Sequence, residues 1–299
     1  MSLVIIGTFN IDTIETPQVR KERIAGGSGT YAALAASFFT QPGIVGVIGE
    51  DFPGEILDIF KEKKIDTHGL ETRKGKTFFW EGRYGDDPNQ RTTLKTEINV
   101  LHGYEPRIPV EYKKADIIFL ANIDPDLQED ILDQAENPQL VAMDTMNFWI
   151  NKKPDALLRV LRRVNIFFAN DEEVKMLVRE ANLVAIGRQL LTKGPKLSVI
   201  KKGEHGVLIL DEKFVCAIPA FPSECVVDPT GAGDCFAGGF LGYLDKVRSC
   251  EEADVRRAAV YGTVMASFAI EDFGIDRFRT LTFSEIEERY EAFRKLVSF

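Results

Sequence analysis

The stretch Val226-Val227-Asp228-Pro229-Thr230-Gly231-Ala232-Gly233-Asp234-Cys235-Phe236 constrains this chain more than any other. Two β-branched residues after a strand-like run lead into a turn with two glycines, and the turn opens directly into the apolar stretch 236–244, which reads as a buried helix. A strand-to-helix turn of this kind aims several free backbone N–H groups at one point, and the helix dipole adds positive potential there. Gly231 and Gly233 let a ligand approach the backbone with no Cβ in the way. The turn is therefore an anion site, with Thr230, Gly231 and Gly233 as its contacts. Asp234 is out of keeping with it, because a carboxylate repels a phosphate. Its fitting role is to take a proton from a hydroxyl that attacks phosphorus, while Gly231, Ala232 and Gly233 donate N–H groups to the charge building on the transferring phosphoryl. At neutral pH Asp234 is expected to be ionised.

Rival phosphate motifs fail. A dinucleotide fingerprint needs a third glycine where Phe236 stands, and no Gly-x-x-x-x-Gly-Lys-Ser/Thr occurs. With its surroundings, the stretch resembles the signature Asp-Thr-Thr-Gly-Ala-Gly-Asp of the ribokinase-like (PfkB) family of carbohydrate and nucleoside kinases, departing only in Pro229. The resemblance implies ATP as phosphoryl donor, Mg²⁺ bridging the phosphates, and K⁺ beside the loop. It also implies a three-layer α/β/α sandwich with a mostly parallel sheet and a small β-sheet lid. That is one domain over 1–299, with lid segments at about 13–25 and 76–101.

The alternating texture of the chain agrees with this. Leu3-Val4-Ile5-Ile6-Gly7 is a continuous apolar run, as a central parallel strand covered on both faces requires. Ligands of doubly wound sheets collect beyond the carboxyl ends of such strands, and Asn10 and Asp12 follow there, two apart and facing the same way if extended. An amide and a carboxylate suit a polyhydroxylated substrate, and an Asx turn is the competing reading. Gly-x-x-Asn-x-Asp also resembles the sugar-binding start of ribokinases. Gly26-Gly27-Ser28-Gly29-Thr30-Tyr31, opening an Ala-rich helix, resembles the family's second signature, with Tyr31 in place of its Asn and Ser28 in place of the Lys of true ribokinases. Both changes argue against ribose itself; Gly26, Gly27 and Tyr31 remain substrate contacts.

From Lys76 to Leu101 the pattern turns aromatic and partly alternating, with a turn at 85–89, as in a hairpin. This matches the family's lid, with Phe79 and Arg83 as substrate contacts and Arg91 as an alternative to Arg83. Asn122 ends another strand and faces the substrate. Asp144 and Asn147 resemble an Asp-x-Asn stretch of the family. Asn170 and Glu173 resemble its Asn-x-x-Glu element, implicated in holding Mg²⁺ and phosphates through water. They equally form a capping-box start for a helix at 171–180, and the two roles are compatible. Lys202 and Gly203, in a Gly-x-x-Gly turn, approach ATP by the same resemblance.

Composition narrows the alternatives. A net charge of −9, from 37 basic and 46 acidic residues, argues against a general nucleic-acid surface and for a cytoplasmic protein without membrane spans. Three separated histidines and four cysteines without metal spacing leave no histidine-rich metal site. The expected activity is ATP-dependent phosphorylation of a hydroxyl on a small sugar, polyol or cyclitol. A nucleoside is the second choice, with Tyr31 and Phe79 sandwiching a base. A silent sugar-binding or regulatory protein on a kinase scaffold is the third. A homodimer through the lid would fit the family.

Overall fold

The computed structural model describes residues 3–298. In chain order the strands are β1 (Leu3–Ile6), β2 (Asn10–Glu15), β3 (Arg20–Gly26), β4 (Gly43–Gly49), β5 (Asp66–Arg73), β6 (Phe79–Tyr84), β7 (Arg91–Glu97), β8 (Ile117–Leu120), β9 (Leu140–Met143), β10 (Ile166–Asn170), β11 (Leu197–Lys201), β12 (Val207–Leu210) and β13 (Val215–Ile218). Nine of them form one sheet in the order β13-β12-β11-β10-β9-β8-β1-β4-β5, parallel from β11 through β5 and antiparallel at the β12–β13 end. Successive side chains of a strand go to opposite faces, which explains the continuous apolar runs. Leu3 and Ile5 join the core beneath helices Ser28–Ala36, Ala232–Val247 and Glu252–Ala269, while Val4 and Ile6 join the core on the other side, with Ile131, Leu157 and Ile186. Three layers result, with helices covering both faces.

The helices over the first face pack closely because they are bare. A Cβ on Gly238 would lie 2.2 Å from the Ala32 carbonyl oxygen, and one on Gly242 would lie 3.0 Å from the Ala36 Cα. Helix Ser28–Ala36 is buried on every side, which its alanines permit. Among the described residues no helix is long and apolar enough to cross a membrane.

The remaining four strands form a separate sheet, ordered β3-β2-β6-β7. Two antiparallel hairpins are joined edge to edge by a parallel pairing of β2 with β6, in which Ile11 faces Phe79 and Asp12 faces Trp80. Both expected segments, 13–25 and 76–101, thus contribute strands to it. The sheet is fastened to the body beside β4, where Asp51 accepts the Thr77 N–H at 2.7 Å and its hydroxyl at 2.8 Å. One expectation fails. Val226-Val227 is not the end of a strand: residues 219–229 carry no regular structure, Val226 is exposed, and Val227 is held by one N–H bond to Ile270 O at 2.8 Å. The sheet ends at β13 and β5 without this segment, which makes no ladder pairing with either edge.

The bare helix contact yields a stability prediction. Gly238→Ala should cost about 1–3 kcal/mol, because the obstructing atom is backbone and cannot move aside cheaply. Gly54→Ala, where a Cβ would meet nothing within 4 Å, should leave the melting temperature nearly unchanged. Equal melting temperatures for the two variants would show that the helix pair is loosely packed.

Candidate active site

The anion turn keeps its form after its expected strand is lost. Gly231 occupies the cap position of helix Ala232–Val247 in the left-handed region (φ 77°), and no side chain caps the helix. A Cβ there would sit 2.4 Å from the ring of Tyr31, so the turn rests on that ring and only glycine fits. The Ala232 N–H is taken by Pro229 O at 3.3 Å. The N–H groups of Gly233 and Asp234 lie in the first helical turn, where no intrahelical acceptor exists, and are left for a ligand. Asp228 anchors the approach: one carboxylate oxygen accepts the Thr230 N–H at 2.9 Å, the other the Gly274 N–H at 3.0 Å.

Charged groups converge on the turn from three neighbouring strand ends. Lys201 ends β11, and its Nζ would be 3.1 Å from a Cβ on Gly233. It is paired with Asp144, just past β9, at 2.5 Å. Burial alone would lower the Lys201 pKa, but Asp144, Glu173 and Asp234 outweigh it and hold the lysine charged. Asp234 is pushed up to about 7, first by burial and then by Asp144, with Lys201 and Arg91 opposing. Glu173 is likewise pushed up to about 7 by burial and Asp144. Where the sequence reading has Asp234 ionised at neutral pH, burial leaves it only partly so, poised to exchange a proton there.

Asn10 and Asp12 are buried together on β2, and Oδ1 of each has no hydrogen-bond partner among the described residues. Burial pushes the Asp12 carboxyl well above its ordinary range; Asp228 and Asp234 add to this, against Asn10 and Arg91. Asp12 and Asp234 thus lie in each other's field. Glycines make the room: a Cβ on Gly26 would lie 1.8 Å from Asp12 Oδ2, and one on Gly27 (φ 99°) would lie 2.3 Å from Thr8 O. Ser28 accepts the Thr8 N–H and donates to the carbonyl of Asn122 at 2.9 Å, which brings Asn122 to the same mouth. The Asn122 amide is engaged, accepting the Trp149 indole N–H at 3.1 Å and donating to the Met146 sulfur.

Three expected contacts are placed differently. Tyr31 is a core aromatic 1% exposed under Gly231, so its ring offers no stacking face; its hydroxyl is buried without a partner. Phe79 and Arg83 lie on the opposite face of the small sheet from Asp12, because side chains alternate. Phe79 shares the face of Ile11, and Arg83 pairs with Glu15 at 3.0 Å. The face turned to the site carries Trp80 and Tyr84, packed with Ile14, Phe273 and Val227. Arg91 stacks over Trp80 at 5.2 Å, and its charge reaches Asp12, Asp234 and Glu173, so it replaces Arg83.

On the nucleotide side, Asn170 and Glu173 form a complete capping box, with bonds of 2.8 and 2.7 Å, and this same box holds Glu173 near the turn. Gly203 (φ 54°) is exposed, and a Cβ there would meet Asn89 from the β6–β7 turn at 2.5 Å; Lys202 beside it is half-buried. Lys201, Trp80 and Tyr84 were not anticipated as site residues. Lys201 had a signal, a lone charge closing the apolar strand Leu197–Ile200 at its carboxyl end. Asp228, within the signature itself, had none that distinguished an anchor from a ligand.

The raised Asp234 has a consequence for stability. Its folded value of about 7 lies above the ordinary carboxylate range. Between pH about 4 and 7 the folded chain therefore binds a proton that the unfolded chain has released, and stability falls as pH rises through that window. Asp234→Asn should melt higher than the unsubstituted chain at pH 8, and the gain should shrink at pH 5. A gain of equal size at both pH values would show that Asp234 is not poised as described.

Three comparisons bear on this geometry. A cytidine kinase of Thermococcus kodakarensis is 34% identical over 258 residues, covering 84% of this chain and 91% of the relative. A Burkholderia thailandensis nucleoside kinase solved in complex with inosine superposes with a TM-score of 0.79 at 19% identity, covering 97% and 98% of the two chains. An Arabidopsis thaliana ribokinase complexed with ribose and ATP gives a TM-score of 0.78 at 17% identity, covering 97% and 98%. The family model described as pfkB family carbohydrate kinase matches residues 2–278, and its span takes in both the Asn10–Asp12 floor and the anion turn. This chain belongs to the pfkB family of carbohydrate kinases.

Proposed function

We propose that the protein is an ATP-dependent nucleoside kinase that phosphorylates a hydroxyl of the ribose. The observation that carries this reading is the pair of buried, unpartnered acceptors Asn10 Oδ1 and Asp12 Oδ1, in the field of Asp234, with Trp80 opposite Asp12 in the β2–β6 register. Buried acceptors without donors are costly, and two neighbouring ribose hydroxyls satisfy them. The order of preference drawn from the sequence, sugar or cyclitol before nucleoside, is thereby reversed. The 34% identical cytidine kinase supports the reversal. So does Trp80, an aromatic surface on the Asp12 face that a base can use and a small polyol does not need.

In this reading the small sheet is a lid over the acceptor, and Asp234 removes the proton of the attacking hydroxyl. The N–H groups of Gly233 and Asp234 hold the charge that develops on the transferring phosphoryl. Lys201, kept charged by Asp144, stands beside Gly233 and neutralises the phosphate chain, while Arg91 balances the acids from above. No group of three or more His, Cys, Asp or Glu that could hold a metal ion occurs among the described residues. The buried acids near the turn suit a hard cation held mainly by the phosphates, with Glu173 and Asp144 acting through water. Mg²⁺ there supplies charge neutralisation at the β- and γ-phosphates.

ATP consumption should be measured across nucleosides, free sugars, polyols and inositols, with K⁺ and with Na⁺ in its place. Turnover is expected with a nucleoside, and Asp234→Asn should lower kcat by about a hundredfold or more. The kcat/KM of the unsubstituted enzyme should rise with pH up to about 7 and then level, since the base must be deprotonated. Turnover with free sugars alone would overturn the nucleoside assignment. Full activity of Asp234→Asn would overturn the mechanism.

A further inference from the structure

Among the described residues a polar side-chain contact joins the lid to the anion turn. The hydroxyl of Tyr84, the last residue of β6, lies 3.0 Å from the hydroxyl of Thr230, the residue immediately before Gly231. Tyr84 is shielded from water, 7% exposed and packed against Ile14 and Phe273, with Ile24, Trp80 and Val227 at the margin, while Thr230 is half-buried. From Thr230 the connection runs in two directions. Its N–H is held by Asp228, which also holds Gly274. Its carbonyl side continues into Gly231, seated on Tyr31, and then into the N–H groups of Gly233 and Asp234. Tyr84 also faces Arg91 across the β6–β7 pairing, so the same lid edge carries the arginine that acts on Asp12 and Asp234.

We propose that the Tyr84–Thr230 hydrogen bond is a latch that ties the closed lid to the phosphate-binding turn, so that acceptor binding under the lid and assembly of the nucleotide site are coupled. Tyr84 is then a positioning residue. An opening lid withdraws the Tyr84 hydroxyl from Thr230 and releases the turn on that side, leaving Asp228 as its remaining side-chain anchor. A lid held down by an acceptor restores the bond and presents Gly233 and Asp234 to the phosphates. This inference rests on the kinase reading above for the identity of the two ligands; the contact itself does not.

Tyr84→Phe removes the hydroxyl and keeps the ring; Thr230→Val removes its partner; Thr230→Ser keeps a hydroxyl. Hydrogen exchange without ligands tests the latch directly. The bonded amides of Thr230, Ala232 and Cys235 should exchange several-fold faster in Tyr84→Phe and Thr230→Val, while those of 238–247 keep their protection. Coupling is read from the affinity for a non-hydrolysable ATP analogue with and without the nucleoside. Each single variant should lose about two- to tenfold of that coupling, the worth of one hydrogen bond. The double variant should lose no more than either single one, and Thr230→Ser, which keeps a hydroxyl, should retain the coupling. Unchanged exchange at Thr230, Ala232 and Cys235, unchanged coupling in Tyr84→Phe, or losses that multiply in the double variant would each overturn the proposal. Should no nucleoside be phosphorylated, the functional reading fails, and the exchange experiment still decides whether the latch exists.

Discussion

The contact between Gly231 and the ring of Tyr31 is the one on which the rest of the site depends. A turn that must offer its N–H groups to a ligand cannot use them to hold itself together, so its shape has to come from elsewhere. Tyr31 supports it from below, Asp228 ties it to Gly274, and Thr230 is held from above by Tyr84. The helix that carries Tyr31 begins at Ser28, directly after Gly26 and Gly27, which leave room for Asp12 and for Thr8. One short helix therefore sets the distance between the floor of the acceptor site and the phosphate turn. Its small, fully buried residues make it a rigid spacer, because little side-chain freedom remains to be lost or regained there.

Around that frame the electrostatics are deliberately unbalanced. Asp12, Asp144, Glu173, Asp228 and Asp234 all have raised pKa values, with burial the leading cause in each. Carboxylates packed near one another cost stability as isolated groups. Lys201 from the sheet and Arg91 from the small sheet offset part of that repulsion, and bound hydroxyls and phosphates supply further partners. Function and stability pull in opposite directions at these residues, as expected where a base must sit beside an anion site.

Much of the fold was legible in the sequence because buried parallel strands leave an unmistakable trace. Runs such as Leu3–Ile6 and Ile117–Leu120 are apolar on both faces, as a sheet covered on two sides demands. The glycine turn was legible because few arrangements other than an anion site need Thr-Gly-Ala-Gly-Asp at a helix start. The lid segments were visible as an interruption of the β/α rhythm. The strand expected before the turn is not there: Val226-Val227 has strand composition, but composition makes a strand only where a neighbour pairs with it, and the sheet is complete without this segment.

The sequence by itself determined the layered architecture, the glycine turn at a helix start with Asp234 beside it, and the pairing of Asn10 with Asp12 on one strand face, since each rests on residue type and short-range spacing. Tertiary structure alone decided which face of β6 is shared with Asp12, which carries Trp80 and Tyr84 where the sequence reading has Phe79 and Arg83. A one-residue change of phase on a strand inverts every side chain, and that phase was set by the pairing of β2 with β6, about seventy residues apart in the chain. Tertiary structure also turned Tyr31 from a surface for a base into the support of the turn, and brought Lys201 to Gly233 from a separate strand. Both outcomes depend on which strand ends become neighbours in space, and no local pattern in the chain carries that information.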